Sequence, residues 1–411
     1  MAVVEGVRER GGQAVPGMLV LIGSGETSPT MVEVHRAVAG RLRPGARAVL
    51  LDTPYAFQEN AADISARARR YFERSVGLRV EVSGDVAGAG WVFAGPGSPT
   101  YALDRWAGGP VGRDLRARVR GRQGVTVLAS AAACTAGLAT VPVYEIYKVG
   151  AEPHWRPGLG LLEPLGLRAV VIPHFDNAEG GTHDTRFCYL GERRLARMER
   201  DLPPGAAVLG IDEHTAVLVD LDAETVEVAG RGGLTVRLPG SAAVLPAGTR
   251  TGLADLRRLA EGTGGAVRPA AAPPPALPSA LPARATLEET VRSCERRFST
   301  ALAGPEPDPA AAARAVLDLE AELVHWAADT EEDTGGVDEA RDLMRLLVAR
   351  LGEVAPAAGL RRLVVPLLAL REDVRGKGGY ETADALRQAM AEGGVLVEDT
   401  PDGPRWSIPP R

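Results

Sequence analysis

With 411 residues, 45% of them hydrophobic and 24% charged, the chain has the composition of a soluble globular protein and the length of about two domains. Its net charge of −6 argues against non-specific binding to nucleic acid. Three widely spaced cysteines, Cys134, Cys188 and Cys294, with no CxxC step exclude a disulfide framework or a zinc ribbon and fit a reducing compartment. The start "MAVVEGVRERGGQAVPG" has no signal-peptide core, and no apolar run approaches the ~18 residues of a membrane span. The expectation is a cytoplasmic protein without membrane contact.

From "GMLVLIGSGE" onward, short apolar runs alternate with amphipathic stretches. The runs are "ARAVLLDT", "LRVEVSG", "GWVFAGPG", "GVTVLAS", "LRAVVIPHF" and "AAVLGIDE". Buried strands alternating with helices predict an α/β fold with a mostly parallel, doubly wound sheet, whose ligand site lies beyond the carboxyl ends of the strands. "LDAETVEVAGRGGLTVRLPG" alternates in period two around "GRGG", which predicts a hairpin. A Pro/Ala-rich stretch within 261–285 reads as a semi-rigid linker. Beyond it, "ARAVLDLEAELVHWAAD", "EARDLMRLLVARLGEV" and "RRLVVPLLALREDVR" carry apolar residues at helical spacing, predicting a helical bundle over 286–411.

The chemistry centres on "VLASAAACTAG". Ser130 stands where a buried strand turns into a helix, among the small residues that a tight turn requires, and the helix start offers free N–H groups. A simple N-cap would select serine as well. His174, in "VVIPHFDN", follows another strand in the same layer. Gly95 and Gly97, in "VFAGPGSPTYAL", let backbone N–H groups approach a ligand, and Glu145 could orient an imidazole or equally be a solvated carboxylate. Cys134 lacks the flanking glycines of a nucleophilic cysteine turn and reads as a buried helix residue. His183, Asp184 and Asp176 fit no metal spacing, and "GSGETS" is an incomplete nucleotide motif, so no metal or cofactor is expected. Asp212 and Glu213, in "GIDEHT", read as stabilising the sheet end.

Taken in order, "LIGSGETSPTM", "FAGPGSPTYALDRW", the Ser-Ala-Ala-Ala turn, "PHFDN…GGTHDTRFCYLGERRL" and "GIDEHTAVLVD" resemble the dipeptidase E and cyanophycinase family of serine peptidases over roughly residues 17 to 225. The resemblance implies a class I glutamine-amidotransferase-like α/β domain, placed at 17–260. It also implies a triad of Ser130 as nucleophile, His174 as base and Glu145, fifteen residues after the serine, as the acid. The oxyanion donors would be the N–H groups of Gly97 and Ala131. Ala132 stands where the family has glycine, and the acid is Glu rather than Asp. The implied reaction is hydrolysis of a short aspartyl peptide or related amide through an acyl-enzyme, with Arg186 as a candidate contact for a substrate carboxylate.

The segment "ALREDVRGKGGYETADALRQAMAEGGVLVEDTPDGPRW" resembles the C-terminal part of cysteinyl-tRNA synthetase. Arg371, Arg375, Lys377, Ala383, Asp384, Arg387, Glu398, Asp399, Thr400, Gly403 and Trp406 carry the match. Neither HIGH nor KMSKS occurs, which excludes aminoacylation. The resemblance implies tRNA contact through this region, or its reuse as an interaction module. The alternative to a hydrolase is therefore a catalytically inactive adaptor that binds tRNA or a protein partner.

Overall fold

The computed structural model describes residues 17–179, 183–263, 285–303, 308–326, 336–354, 357–401 and 403–407, the side chains of 325 and 353–362 excepted. Most of the Pro/Ala stretch lies outside them. The chain divides into two compact units between Arg284 and Ala285.

In the first unit the strands are β1 (Met18–Ile22), β2 (Ala48–Leu51), β3 (Glu81–Val82), β4 (Trp91–Ala94), β5 (Val125–Ala129), β6 (Ala139–Thr140) and β7 (Arg156–Pro157). They continue with β8 (Ala169–Ile172), β9 (Ala207–Ile211), β10 (Thr215–Asp220), β11 (Thr225–Gly230), β12 (Gly233–Leu238), β13 (Ser241–Pro246) and β14 (Arg250–Gly252). Among them run helices α1 (Val32–Ala39), α2 (Ala61–Tyr71), α3 (Pro99–Trp106), α4 (Pro110–Arg120), α5 (Ser130–Cys134), α6 (Val143–Tyr147), α7 (Gly191–Glu199) and α8 (Leu253–Ala260).

An eight-stranded sheet has the order β14-β11-β10-β1-β5-β4-β2-β3, and a four-stranded sheet the order β13-β12-β9-β8. Strands β1, β5, β4, β2 and β3 are parallel, as are β8 and β9. Strands β10, β11 and β14 add antiparallel pairings, so the sheet is mixed. The continuous apolar strands are buried on both faces, as a helix-covered sheet requires. Along β1, Met18, Val20 and Ile22 face a core with Val34, Val38 and Tyr71, whereas Leu19 and Leu21 face one with Leu103, Trp106 and Leu115.

"GRGG" does not close a hairpin. β11 pairs with β10 and β14, and β12 with β9 and β13, so the chain crosses from one sheet to the other at this point. Gly230 makes the crossing possible: its φ is +116°, and a Cβ there would lie 2.2 Å from the His214 carbonyl oxygen. The crossing then wraps the 212–215 segment. Arg231 N–H donates to His214 O, Gly232 N–H to Thr215 Oγ1 and Gly233 N–H to Asp212 Oδ2 at 2.7–3.0 Å.

The second unit consists of α9 (Leu287–Leu302), α10 (Pro309–Trp326), α11 (Gly336–Val354), α12 (Ala357–Gly376) and α13 (Tyr380–Glu392), followed by a hairpin of β15 (Leu396–Thr400) and β16 (Gly403–Ser407). Cys294, Phe298, Leu319, Met344, Leu347 and Leu386 lie in its core. Three of the residues that carry the synthetase resemblance, Arg371, Arg375 and Asp399, tie α12 to β15. Arg371, only 1% exposed, donates from both terminal nitrogens to Asp399 on β15, at 2.7 and 2.9 Å, and Arg375 adds a contact of 2.8 Å. The Arg371 guanidinium is the main reason why Asp399 titrates far down, at about 2. Arg371→Leu is expected to destabilise this unit by about 2–3 kcal/mol, since it strips a buried pair of one partner while Asp399 stays 37% exposed. Denaturant unfolding of the whole chain, followed by the far-UV helical signal, would show a transition at lower denaturant in the variant than in wild type. No described helix is long and apolar enough to cross a membrane.

Candidate active site

Strand β5 runs in extended backbone to Ala129 (φ −125°, ψ 151°), and Ser130 then reverses to φ +46° as α5 begins. A non-glycine residue in left-handed backbone is strained and needs its surroundings to hold it. Those surroundings are tight: Ala129, Ala132, Ala133 and Cys134 are fully buried, and the Ala132 N–H donates to Gly95 O at 3.3 Å. The turn thus forms with alanine at position 132.

His174 lies just beyond β8, itself at φ +48°, with its Nε2 2.9 Å from Ser130 Oγ. Strands β8 and β9 are parallel neighbours, with Ile172 opposite Gly210, so the loops after them emerge at the same end. The loop after β9 brings Glu213, whose Oε1 lies 2.9 Å from His174 Nδ1. The same oxygen accepts from Asn177 Nδ2 at 3.0 Å, and the Glu213 N–H donates to Asp176 Oδ1 at 2.7 Å. His214, at φ +51°, sets its Nδ1 2.9 Å from Thr30 Oγ1 in the loop after β1.

Burial alone would lower the His174 pKa. The Glu213 hydrogen bond and the charges of Cys188, Glu213 and Glu26 overcome it, and the imidazole titrates at about 9. Burial raises Glu213, but the bond and positive charge of His174, the Asn177 bond and the charge of His214 bring it below the usual carboxylate range. Its neighbours move the other way. Burial raises Asp176, and burial with the charge of Asp176 lifts Asp212 to about 6. Of the three carboxyls in this corner, the one facing the imidazole keeps its charge most firmly.

The acid that meets His174 is therefore Glu213, not Glu145. Glu145 sits on α6, whose buried residues are Val143 and Ile146, and its Oε2 is enclosed without a hydrogen-bond partner. The fifteen-residue spacing places Glu145 off the packed face of a short helix, and His174 Nδ1 is already taken. Arg186 also departs from expectation. Its guanidinium pairs with Asp184 through two bonds of 2.9 Å, so the carboxylate that it meets is internal. Asp184 further accepts the Glu192 N–H at 2.9 Å, which ties the loop to α7. Gly97 lies in the loop after β4 and Ala131 in the helix that follows β5, and β4 and β5 are paired parallel. Gly97 has φ +129°, and a Cβ there would lie 2.2 Å from Pro54 O, so only glycine fits. Ala131 lies in the first turn of α5, where N–H groups have no carbonyl one turn back.

Cys134 is fully buried. The neighbouring Cys188 thiol, followed by burial, pushes its pKa well up. Tyr189 stands with its ring 6.3 Å from that of His174 and 5.0 Å from Tyr147, forming an aromatic wall beside the imidazole. Among the described residues, no group of three or more His, Cys, Asp or Glu side chains could hold a metal ion.

No family model matches the chain. Over its C-terminal region it is similar to cysteine–tRNA ligases. The ligase of Streptomyces coelicolor is 31% identical over 163 residues, covering 37% of this chain and 23% of the ligase. That of Streptomyces avermitilis is 29% identical over 168 residues, covering 38% and 31%. That of Thermus thermophilus is 45% identical over 49 residues, covering 12% and 10%. The chain spans less than a third of the length of these curated relatives. Among solved structures, the first unit is similar to a peptidase from an acI-B1 actinobacterium. The TM-score is 0.46 and the identity 19%, over 58% of this chain and 97% of that one. It is also similar to a putative peptidase E protein from Listeria monocytogenes, with a TM-score of 0.32 and 15% identity over 56% and 98%.

Proposed function

We propose that the first unit is a serine hydrolase that cleaves a small peptide or related amide through an acyl-enzyme. The observation that carries this reading is the continuous relay Ser130 Oγ–His174 Nε2 and His174 Nδ1–Glu213 Oε1, with both links at 2.9 Å. Ser130 attacks the carbonyl carbon while His174 takes its proton. Glu213 orients the ring and balances the imidazolium, and His174 then passes the proton to the leaving amine. Water, deprotonated by the same imidazole, releases the acyl group. The N–H groups of Gly97 and Ala131 are the proposed donors to the oxyanion. An aspartyl peptide is the substrate class implied by the resemblance to dipeptidase E and cyanophycinase. The test is hydrolysis of α- and β-aspartyl dipeptides by the full chain: turnover lost in Ser130→Ala supports the reading, and turnover unchanged in that variant removes it.

Similarity to cysteine–tRNA ligases favours a second reading, in which the C-terminal unit contacts tRNA. Charge opposes it, because over 285–411 acidic residues outnumber Lys and Arg by 24 to 15. The basic residues of the shared segment are also paired, Arg371 and Arg375 with Asp399, Lys377 with Asp373 and Arg387 with Asp384. Phosphate binding draws on unpaired cations and weakens steeply with salt. The expected result is no salt-dependent tRNA retention by the full chain in a filter-binding titration, which makes the unit a packing or interaction module. Saturable retention at low salt would restore the tRNA reading.

A further inference from the structure

We propose that Asn177 is a positioning residue for the catalytic relay, its side-chain amide holding the Glu213 carboxylate on line with His174 Nδ1. The inference rests on the serine-hydrolase reading for its catalytic consequence, but not for its geometry.

Asn177 is fully buried, and every polar atom of it is engaged. Its Oδ1 accepts the Glu179 N–H at 3.3 Å, which fixes the orientation of the amide and leaves Nδ2 to face Glu213 Oε1 at 3.0 Å. A flipped amide would point an oxygen at a carboxylate oxygen and lose both bonds. Its own N–H donates to His174 O at 3.3 Å, and its carbonyl accepts from Thr185 Oγ1 at 3.4 Å. The Asn177 backbone is thereby tied to the turn that carries the imidazole, and the Glu179 N–H sets its side chain.

Glu213 needs such a partner. It sits on a loop between β9 and β10, its side chain a quarter exposed, with only one of its oxygens facing the imidazole. The backbone is pinned by Asp176, through the Glu213 N–H, and by Thr215, through the Glu213 carbonyl. Those bonds fix the Cα but not the side-chain torsions. The Asn177 amide supplies the missing constraint, by converging with His174 Nδ1 on the same Oε1. The stretch from His174 to Asn177 thus provides the base, the clamp on the backbone of its acid and the clamp on that acid's carboxylate. An amide is the suitable group: a second carboxylate would repel Glu213, and a cation would compete with the imidazolium for it.

The experiment compares wild type, Asn177→Asp and Asn177→Leu in the full chain, with His174→Gln identifying the signal. Asn177→Asp keeps the shape and the acceptor for Glu179 but sets a repelling carboxylate where the donor to Glu213 stood, whereas Asn177→Leu removes the donor without adding charge, so a change common to both variants reads the lost bond. The first readout is the far-downfield proton resonance of His174 Nδ1–H below pH 9, which needs no substrate. The second is the pH profile of kcat/KM. The expected result is a downfield signal that is lost or moved upfield in both variants, a kcat/KM about 10- to 100-fold lower at unchanged KM, and a displaced acid limb in Asn177→Asp. A resonance unmoved in both folded variants, with an unmoved limb, would overturn the proposal and leave Asn177 a loop-packing residue. If the wild type hydrolyses nothing, the hydrolase reading fails, and the resonance still decides the role of Asn177.

Discussion

Glu213→Gln is expected to lower kcat/KM by about 10³–10⁴-fold, whereas Glu145→Gln changes it by less than about threefold. The glutamine amide can still reach His174, but it presents a neutral dipole where the reaction develops an imidazolium, and it stabilises the wrong tautomer when its N–H₂ faces Nδ1. Glu145 has no bond to the imidazole, so its loss touches only the surroundings of α6. Steady-state kinetics on the two variants, with circular dichroism to confirm folding, separates the two acids. A large loss in Glu145→Gln with Glu213→Gln active would reassign the relay.

The second large effect is on pH. A general base works only unprotonated, and His174 titrates at about 9 in the free protein because the Glu213 hydrogen bond and the charges of Cys188, Glu213 and Glu26 outweigh burial. The groups that face it are Glu213, Glu26 and Cys188, with Asp176, Asp212 and His214 acting through Glu213. The acid limb of kcat/KM should therefore rise through about pH 9, and the rate at pH 7 should be about 100-fold below its plateau. Stability runs the opposite way. The folded pKa lies above the unfolded value of 6.5, so the His174–Glu213 pair stabilises the fold fully below pH 6.5 and loses that contribution as the pH rises through about 9. A rate profile combined with thermal melts from pH 6 to 10 checks both signs. A limb near 6.5 would show that Glu213 does not hold the imidazolium.

The sequence exposed Ser130 and His174 for a physical reason. Ser130 directly follows and His174 stands one residue beyond a short, fully buried strand, and carboxyl-end loops of parallel strands gather on one side of a sheet. Glu213 obeys the same rule, since it follows β9, yet "GIDEHT" reads as a sheet terminus until β9 is known to lie beside β8. Strand adjacency is set by tertiary packing, which local pattern does not encode. The same gap explains "GRGG". Period-two alternation on both sides of a glycine turn looks like a hairpin, and only the close approach of Gly230 to His214 and Gly232 to Asp212 reveals a crossing between two sheets. That crossing helps to hold Glu213, so the turn at Gly230 and the contact of Glu213 with His174 share a cause. The α/β and helical units were legible from apolar periodicity, whereas the β15–β16 hairpin was not, because its strands are half exposed and carry Asp, Glu, Pro and Arg.

Backbone strain gathers around His174 as well. Ser130, His174, Cys188 and His214 all hold φ between +46° and +55°, and Phe187 and Tyr189 continue the left-handed run around Cys188. Non-glycine residues rarely adopt this region, and their gathering around one imidazole is what a preorganised site requires.

The central claim, an activated serine at position 130, is tested most directly by fluorophosphonate labelling of the full chain at pH 9, with the modified residue located by peptide mass spectrometry. The expected result is phosphonylation of Ser130 that is absent in Ser130→Ala and at least about 100-fold slower in His174→Ala and Glu213→Gln. Labelling that is retained in Ser130→Ala, or a folded wild type in which Ser130 reacts no faster than in Glu213→Gln, would contradict it.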